Sequence, residues 1–367
     1  MEENVKRILT WLRGGKAGPT KLQLNLTNRC NLKCRFCWLR DFDSVGANYD
    51  EIEPKRYLEI IEEAHKLGVK SVEVTGGGEP LCRKDILNIM EKVKSHRLYG
   101  ELITNGTLFT TNLLQGIVDM GWDRIVFSLD APDAETNDYL RGIDDAFEKT
   151  TNAIKLLESI KKRKNKNKPE ICIHMVLCNK NHEKIGEMFE LAHSLGCNNL
   201  FIEPLVLLAL ETEAGRDLML KDEHKKQLLL EIEKAKSIAN KYHFKTNLEK
   251  LKLQFIERVN KMDETIMKEV NVVKARTRNE IVSIPCYYPW YQMIIRPWGV
   301  VGPCCMFDNI GDNVKEKSLE EIWFGEHFNK IREKLKRGLL PNFCFKCNPG
   351  QVQENMKIRK VLQRYAK

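Results

Sequence analysis

Leu22-Gln23-Leu24-Asn25-Leu26-Thr27-Asn28-Arg29-Cys30-Asn31-Leu32-Lys33-Cys34-Arg35-Phe36-Cys37 sets three cysteines at C-x3-C-x2-C directly after an apolar run. The run Leu22–Leu26 alternates and reads as a β-strand, with the cysteines on the loop that follows it. Three thiolates at this spacing can each bind one iron of a cubane and leave the fourth iron without a protein ligand. Zinc fits the triad less well, because it usually takes four ligands from paired spacings and no fourth lies nearby. An iron with an open position suits inner-sphere chemistry.

Outward from that loop, short apolar runs alternate with amphipathic helices. Candidate strands are Leu22–Leu26, Ser71–Thr75, Glu101–Thr104, Arg124–Leu129, Ile171–Leu177 and Asn199–Glu203. Between the first two, Pro54 suits a first helical position, Tyr57, Ile61, Ala64 and Leu67 mark one face, and Gly68 ends the helix. Six β–α repeats imply an α/β fold with a parallel sheet and helices outside, curled or doubly wound, and the expected architecture is a partial (β/α)6 TIM-like barrel. In such a fold the loops after the strands form the functional face. Thr75-Gly76-Gly77-Gly78-Glu79-Pro80 follows the second strand and lacks the Lys-Ser/Thr of a phosphate loop. Backbone close to a ligand and a carboxylate suit an ammonium group better. Asn105-Gly106 ends the third strand; Ser128-Leu129-Asp130 ends the fourth and Arg141-Gly142 follows it. Each of these reads, by itself, as turn or cap chemistry.

Residues 212–280 are charged, apolar-periodic and nearly free of Gly and Pro, as in a helical bridge of two long helices. After Ile281 aromatic, Pro, Gly and Cys residues suggest a small cofactor-stapled module, 281–350, with a tail helix over 351–367. There Met293–Ile295 reads as a strand and Pro297-Trp298-Gly299 as a hairpin turn, which brings Cys286 towards Cys304 and Cys305. A helix from Ser318 through Leu335 returns the chain to Cys344-Phe-Lys-Cys347. Four thiolates can converge, and a tetrahedral zinc site is the alternative here. Residues 1–19 read as an amphipathic helix against the main domain, which itself spans 20–211.

The 367 residues suffice for one large core and a satellite. The net charge of +9 is concentrated partly in the run Lys161–Lys168, which has no interleaved aromatics and reads as a solvated loop, so nucleic acid is not the expected partner. The apolar stretch Leu205–Leu210 is too short to span a bilayer. No signal-peptide core opens the chain, and a cytoplasmic address is expected. Twelve cysteines in a reducing compartment point to metal or redox chemistry rather than disulfides. Cys172, Cys178 and Cys197 match no motif and read as small buried hydrophobes. His174 and Glu203, near the ends of the fifth and sixth strands, are possible substrate contacts.

The segment CNLKCRFC, with Phe36 before its third cysteine, resembles the signature of the radical AdoMet superfamily. The resemblance implies that Cys30, Cys34 and Cys37 hold a catalytic 4Fe–4S cluster whose fourth iron chelates S-adenosylmethionine. One electron then yields a 5′-deoxyadenosyl radical that abstracts hydrogen from substrate. Gly77, Gly78 and Glu79 are similar to the family's GGE motif at the methionine amino group. Ser128 and Arg141 would reach the ribose and carboxylate, with Asn105 and Asp130 beside them. Cys82 could donate a hydrogen atom, as in radical epimerases. The pieces PW, Gly299-x4-Cys304, EIW and the closing C-x2-C resemble a shortened auxiliary-cluster domain called a twitch, related to the SPASM domain. That implies one auxiliary 4Fe–4S cluster on Cys286, Cys304, Cys344 and Cys347, with Cys305 the alternative to Cys304. A closed auxiliary centre suits electron transfer, as in twitch-bearing enzymes that oxidise an aminocyclitol alcohol. The expected function is a net oxidation of a small polar, sugar- or aminocyclitol-like molecule, served by a low-potential donor such as flavodoxin or ferredoxin. A peptide maturase or epimerase is the alternative within the superfamily, and a non-catalytic iron–sulfur or zinc protein the alternative outside it.

Overall fold

The computed structural model describes residues 1–37, 39, 50–205, 213–256, 281–347 and 349–365. Among them one sheet runs in the order β7-β6-β5-β4-β3-β2-β1-β8-β9. The strands are β1 Lys21–Asn25, β2 Ser71–Thr75, β3 Tyr99–Thr104, β4 Arg124–Ser128, β5 Glu170–Leu177, β6 Asn199–Pro204, β7 Lys245–Thr246, β8 Gln292–Ile295 and β9 Val301–Gly302. All neighbours from β7 to β8 are parallel, and β9 alone is antiparallel. Strands β1 to β6 lie in chain order with a helix after each, the arrangement expected of a partial (β/α)6 barrel.

Alternation along the strands divides the sheet into two chemistries. Leu22, Leu24, Val72, Val74, Ile173, Met175 and Leu177 are fully buried and share one core with the helical residues Tyr57, Ile60, Ile61 and Ala64. Each such side chain contributes about 1.5–3 kcal/mol on burial. Many of the alternate positions are polar, among them Lys21, Gln23, Glu73, Glu101, Arg124 and His174. On that face Lys21 pairs with Glu73 at 2.6 Å and Arg124 with Glu101 at 3.2 Å, near the amino-terminal ends of the strands. The helices start and stop where the sequence directs. Pro54 opens Pro54–Lys66, Thr110 accepts from the Leu113 N–H at 3.3 Å, and Asp133 accepts from the Thr136 N–H at 2.8 Å.

The carboxy-terminal module joins the sheet edge to edge. Strand β8 lies parallel to β1, with Lys21 opposite Gln292 and Leu24 opposite Ile295. The hairpin after it closes through the Gly299 N–H to the Arg296 carbonyl at 2.9 Å, with Gly299 at φ +95. Two expectations need correction. Helix Glu2–Leu12 does not pack chiefly on the barrel: Val5, Ile8 and Leu9 lie in a separate core with Tyr287, Trp290, Ile331 and Ile358 of the module. The apolar stripe of that helix does not by itself name its partner, and here it meets the large aromatics of the module. The helix expected from Ser318 to Leu335 is two helices, Leu319–Trp323 and Glu326–Lys336. It breaks at Gly325, whose backbone is extended and where a Cβ would come 2.4 Å from the Glu321 carbonyl.

Helix Lys225–Lys241 packs on Ile185–Ser194 and leads into β7, continuing the β–α alternation. Of the second expected bridge helix, Leu248–Ile256 is helical, and residues 257–280 lie outside the described residues, as do residues 206–210 of the apolar stretch. No described helix is long and apolar enough to cross a membrane. The basic run is partly neutralised: Lys161 pairs with Glu158, Lys164 with Asp119 and Lys168 with Asp123.

Candidate active site

The cysteine loop leaves β1 and is gripped from two sides. On one side lies the turn after β2. There the Gly78 N–H donates to the Thr27 carbonyl at 2.9 Å and the Glu79 N–H to the Arg29 carbonyl at 2.8 Å. A Cβ at Gly78 would sit 2.1 Å from the Arg29 carbonyl oxygen, and one at Gly77 2.3 Å from Asn28 Oδ1. On the other side, the Lys33 N–H donates to the Arg141 carbonyl at 3.2 Å and the Arg35 N–H to the Leu140 carbonyl at 2.9 Å. Gly142 has φ +71, and a Cβ there would meet the Lys33 carbonyl oxygen at 2.1 Å. Backbone pressed this closely against backbone admits only glycine.

Glu79 is 2% exposed and fully engaged within the protein. Its Oε1 accepts from the Leu81 N–H at 3.0 Å and Thr104 Oγ1 at 2.7 Å, and its Oε2 from the Asn105 N–H at 2.7 Å. Burial pushes its carboxyl up, and these donors pull it back. The motif therefore ties the end of β2 to the end of β3. Asn105 carries the tie onward: its Nδ2 donates to Asn31 Oδ1, inside the cysteine loop, at 3.0 Å.

Arg141 closes the helix Ala134–Arg141 and is 7% exposed. Its Nη2 lies 2.8 Å from Asp130 Oδ2, its Nη1 3.9 Å from the Cys34 sulfur, and its guanidinium 5.7 Å from the Phe36 ring centre. Its buried Nε has no partner among the described residues. Asp130 is held in turn by the Val176 N–H at 2.9 Å. Burial pushes the Cys30 thiol up to about 12 and raises Cys34 as well, where the nearby guanidinium opposes the rise. Metal binding at these thiols accordingly releases protons, and Arg141 favours the charged form.

The structure thus gathers Cys30, Cys34, Cys37, Phe36, Gly77, Gly78, Glu79, Asn105, Asp130 and Arg141 around one loop. Cys82 sits on the same turn, half-buried, its N–H on the Glu79 carbonyl at 3.0 Å. Ser128 stands at the end of β4 opposite His174, whose imidazole is 3.9 Å from Glu203. A supporting clamp was not anticipated. Arg83 Nη1 bonds the Leu26 carbonyl at 3.4 Å and Glu51 at 3.2 Å, Nη2 bonds Asp85 at 2.7 Å, and Glu51 accepts from Thr27 at 2.5 Å. Only the position of Arg83, just past the GGEP turn, hinted at it.

The second cysteine set lines one apolar cavity whose walls include Cys286, Cys304, Cys344, Cys347, Ile331 and Leu335. Cys305 is not in the lining; its sulfur accepts from Gln351 Nε2 at 3.2 Å. Burial holds the Cys304 thiol well up, and burial pushes Cys286 up to about 11. The helix Pro349–Leu362 is part of this wall, through Gln351, Val352, Asn355 and Arg359. Polar residues at i, i+4 and i+8 just past the last cysteine were the sequence signal for that. Among the described residues, no three His, Cys, Asp or Glu side chains converge as they would on a single metal ion. Four sulfurs spread around an apolar cavity, rather than converging on one point, suit the larger cubane better than zinc.

Comparison with known proteins finds a family model over each of the two regions. Residues 24–192 match the radical SAM superfamily, and residues 286–348 match the SPASM iron-sulfur cluster-binding domain. The chain is 27% identical over 321 residues to an AdoMet-dependent heme synthase of Methanosarcina barkeri (strain Fusaro / DSM 804), covering 86% of this chain and 85% of that protein. It is 29% identical over 185 residues to a PqqA peptide cyclase of Methylocella silvestris, covering 50% of this chain and 47% of that one. Its fold matches the crystal structure of Streptococcus suis SuiB bound to S-adenosylmethionine with a TM-score of 0.62 at 18% identity, covering 93% of this chain and 81% of that one. The cofactors are therefore 4Fe–4S clusters and S-adenosylmethionine, for which the triad beside Arg141 and the four-cysteine cavity are fitting sites. The chain belongs to the radical AdoMet (radical SAM) superfamily and carries a carboxy-terminal iron–sulfur cluster-binding domain of the SPASM type.

Proposed function

We propose that this enzyme is an oxidoreductase that removes hydrogen from a small polar, sugar- or aminocyclitol-like substrate and passes the second electron to the auxiliary centre. The observation that carries the reading is the closed set of Cys286, Cys304, Cys344 and Cys347 around one apolar cavity, which suits electron transfer better than substrate binding. When bound, AdoMet and the cluster at Cys30, Cys34 and Cys37 supply a 5′-deoxyadenosyl radical as the hydrogen acceptor. The protein's own part is to hold and to shield. Arg141 keeps a fixed positive charge beside Cys34, and the Glu79–Asn105–Asn31 chain fixes the loop. Gln23, Asn25, Ser128, His174 and Glu203 line the polar side of the sheet, where hydroxyl or amino groups find partners. The His174–Glu203 pair is placed to take the proton that leaves with the oxidation. A low-potential donor of the flavodoxin or ferredoxin kind would supply the first electron, and twelve free cysteines suit a reducing, cytoplasmic compartment.

Anaerobic reconstitution tests the reading. Iron and sulfide should correspond to two cubanes, and AdoMet with dithionite should release 5′-deoxyadenosine. One cubane plus zinc would reassign the carboxy-terminal module, and no 5′-deoxyadenosine would support a non-catalytic protein.

The likeness to a PqqA peptide cyclase favours a second reading, a peptide-modifying maturase or epimerase. It predicts a peptide substrate whose mass falls by two hydrogens on crosslinking, or stays constant on epimerisation. In the epimerase case, Cys82→Ala would lose product while keeping AdoMet cleavage.

A further inference from the structure

The wall that carries the cysteine triad has an outward face as well. Cys34 and Phe36 gather about the buried Arg141, and Arg35, between them in the chain, is exposed. Its guanidinium lies 4.1 Å from the ring centre of Tyr139, and its Nε donates to the Tyr139 carbonyl at 2.9 Å. Tyr139 is 43% exposed, although Leu140 and Arg141, which follow it, are buried. From the loop after β5 the exposed Lys180 brings its Nζ within 6.0 Å of the same ring centre. Among the described residues, neither Arg35 nor Lys180 is paired with a carboxylate. The chain thus presents an open aromatic ring between two unpaired cations, on the outside of the wall whose inner side holds the triad.

Exposed tyrosine and arginine side chains are what protein interfaces are built around. Cations left without a partner in their own chain attract a protein that carries carboxylates and steer its approach. Where the patch lies decides what such a protein could do there. Arg35 is the neighbour of Cys34 in the chain, so their Cα atoms are about 3.8 Å apart. A partner on this face stands one residue from a cysteine of the catalytic triad, with the loop between them. That suits the passage of an electron, not of a substrate. The other basic stretch, Lys161–Lys168, precedes β5 and lies at the opposite end of the sheet, with three of its lysines already paired. We propose that Arg35, Tyr139 and Lys180 form the docking patch of the electron donor, an acidic protein of the flavodoxin type. Electron-transfer encounters bury little area, so a patch of this size suffices. The inference rests on the donor named in the reading above and adds the surface that receives it.

The test uses the full chain, anaerobically reconstituted, and measures 5′-deoxyadenosine formed per iron with two reductants. Reduced flavodoxin must dock; dithionite need not. Flavodoxin is kept scarce, so that encounter limits the rate. Lys180→Glu, Arg35→Glu and Tyr139→Ala should each lower the ratio of the flavodoxin-driven to the dithionite-driven rate, and the double charge reversal should lower it about tenfold or more. Added salt should slow the flavodoxin-driven reaction of the parent and barely affect that of the double variant. Lys162→Glu with Lys166→Glu makes the same change of net charge at the other end of the sheet and should leave the ratio unmoved. An unchanged ratio in the double variant, or an equal fall in this control pair, would overturn the proposal. So would a parent that dithionite reduces and flavodoxin does not. No 5′-deoxyadenosine from the parent with dithionite would instead refute the catalytic reading itself.

Discussion

Arg141 and Asp130 form a buried ion pair of 2.8 Å, and the same guanidinium stands 3.9 Å from the Cys34 sulfur. The pair places a positive charge at the triad without leaving it unpaired. Arg141→Met should strand the Asp130 carboxylate, whose side chain is fully buried. Removing one partner of such a pair costs about 3–5 kcal/mol. Urea unfolding of the metal-free chain measures this. The double variant Arg141→Met with Asp130→Asn should regain part of the loss, and a single-variant cost below about 1 kcal/mol would sink the idea.

The two glycine contacts on the cysteine loop should separate the metal sites. Gly78→Ala and Gly142→Ala each put a carbon against backbone, at 2.1 Å from the Arg29 and Lys33 carbonyl oxygens. The loop must shift, at a cost of about 1–3 kcal/mol. Reconstituted iron should fall to roughly half the parent value, with the auxiliary cluster retained. Full iron and an unaltered spectroscopic response to AdoMet would show that the loop tolerates the displacement.

Cys304 and Cys305 are adjacent in sequence yet differ in place. Cys304 lines the auxiliary cavity, and Cys305 is bonded to Gln351. Cys304→Ala should abolish the auxiliary cluster signal, while Cys305→Ala should leave it. Equal losses in both variants would contradict the assignment.

Much of this was legible in the chain because each local signal agreed with the next. Strand β2 was read at its full extent, and the loops after β1, β2, β3 and β4 each carried a candidate motif. The GGE glycines were recognised as a site, but their contacts with Thr27, Asn28 and Arg29 depend on the pairing of β1 with β2. Glu79 was expected to face a ligand; besides the local Leu81 N–H, its donors are Thr104 at the end of β3 and Asn105 just past it, out of reach of any local pattern. The partners of Arg359 were invisible for the same reason: it donates to the carbonyls of Val282, Ile284 and Pro285, 77 to 74 residues away along the chain.

Asp123 gives a pH dependence. It accepts from Lys94, Lys168 and, at 2.9 Å, the Gly100 N–H. Burial pushes its carboxyl up, but these partners outweigh burial and hold it below the ordinary value. Its contribution is therefore complete above about pH 3.9, the unfolded value, and is lost as pH falls through the depressed folded value. The difference in urea midpoint between the parent and Asp123→Asn should be largest near neutrality and shrink below about pH 4. A difference that ignores pH would remove the lysine contacts as its source.

Thr20, just before β1, donates its N–H to the Tyr291 carbonyl at 2.8 Å across 271 residues of chain. On the ribosome, the strand that leads into the Cys30 loop therefore emerges long before its neighbour β8. One flank of that strand stays bare until β8 has been made. Maturation of the amino-terminal metal site is thereby yoked to late synthesis: a nascent chain halted before Gln292 displays the cysteines but lacks the strand that completes their support.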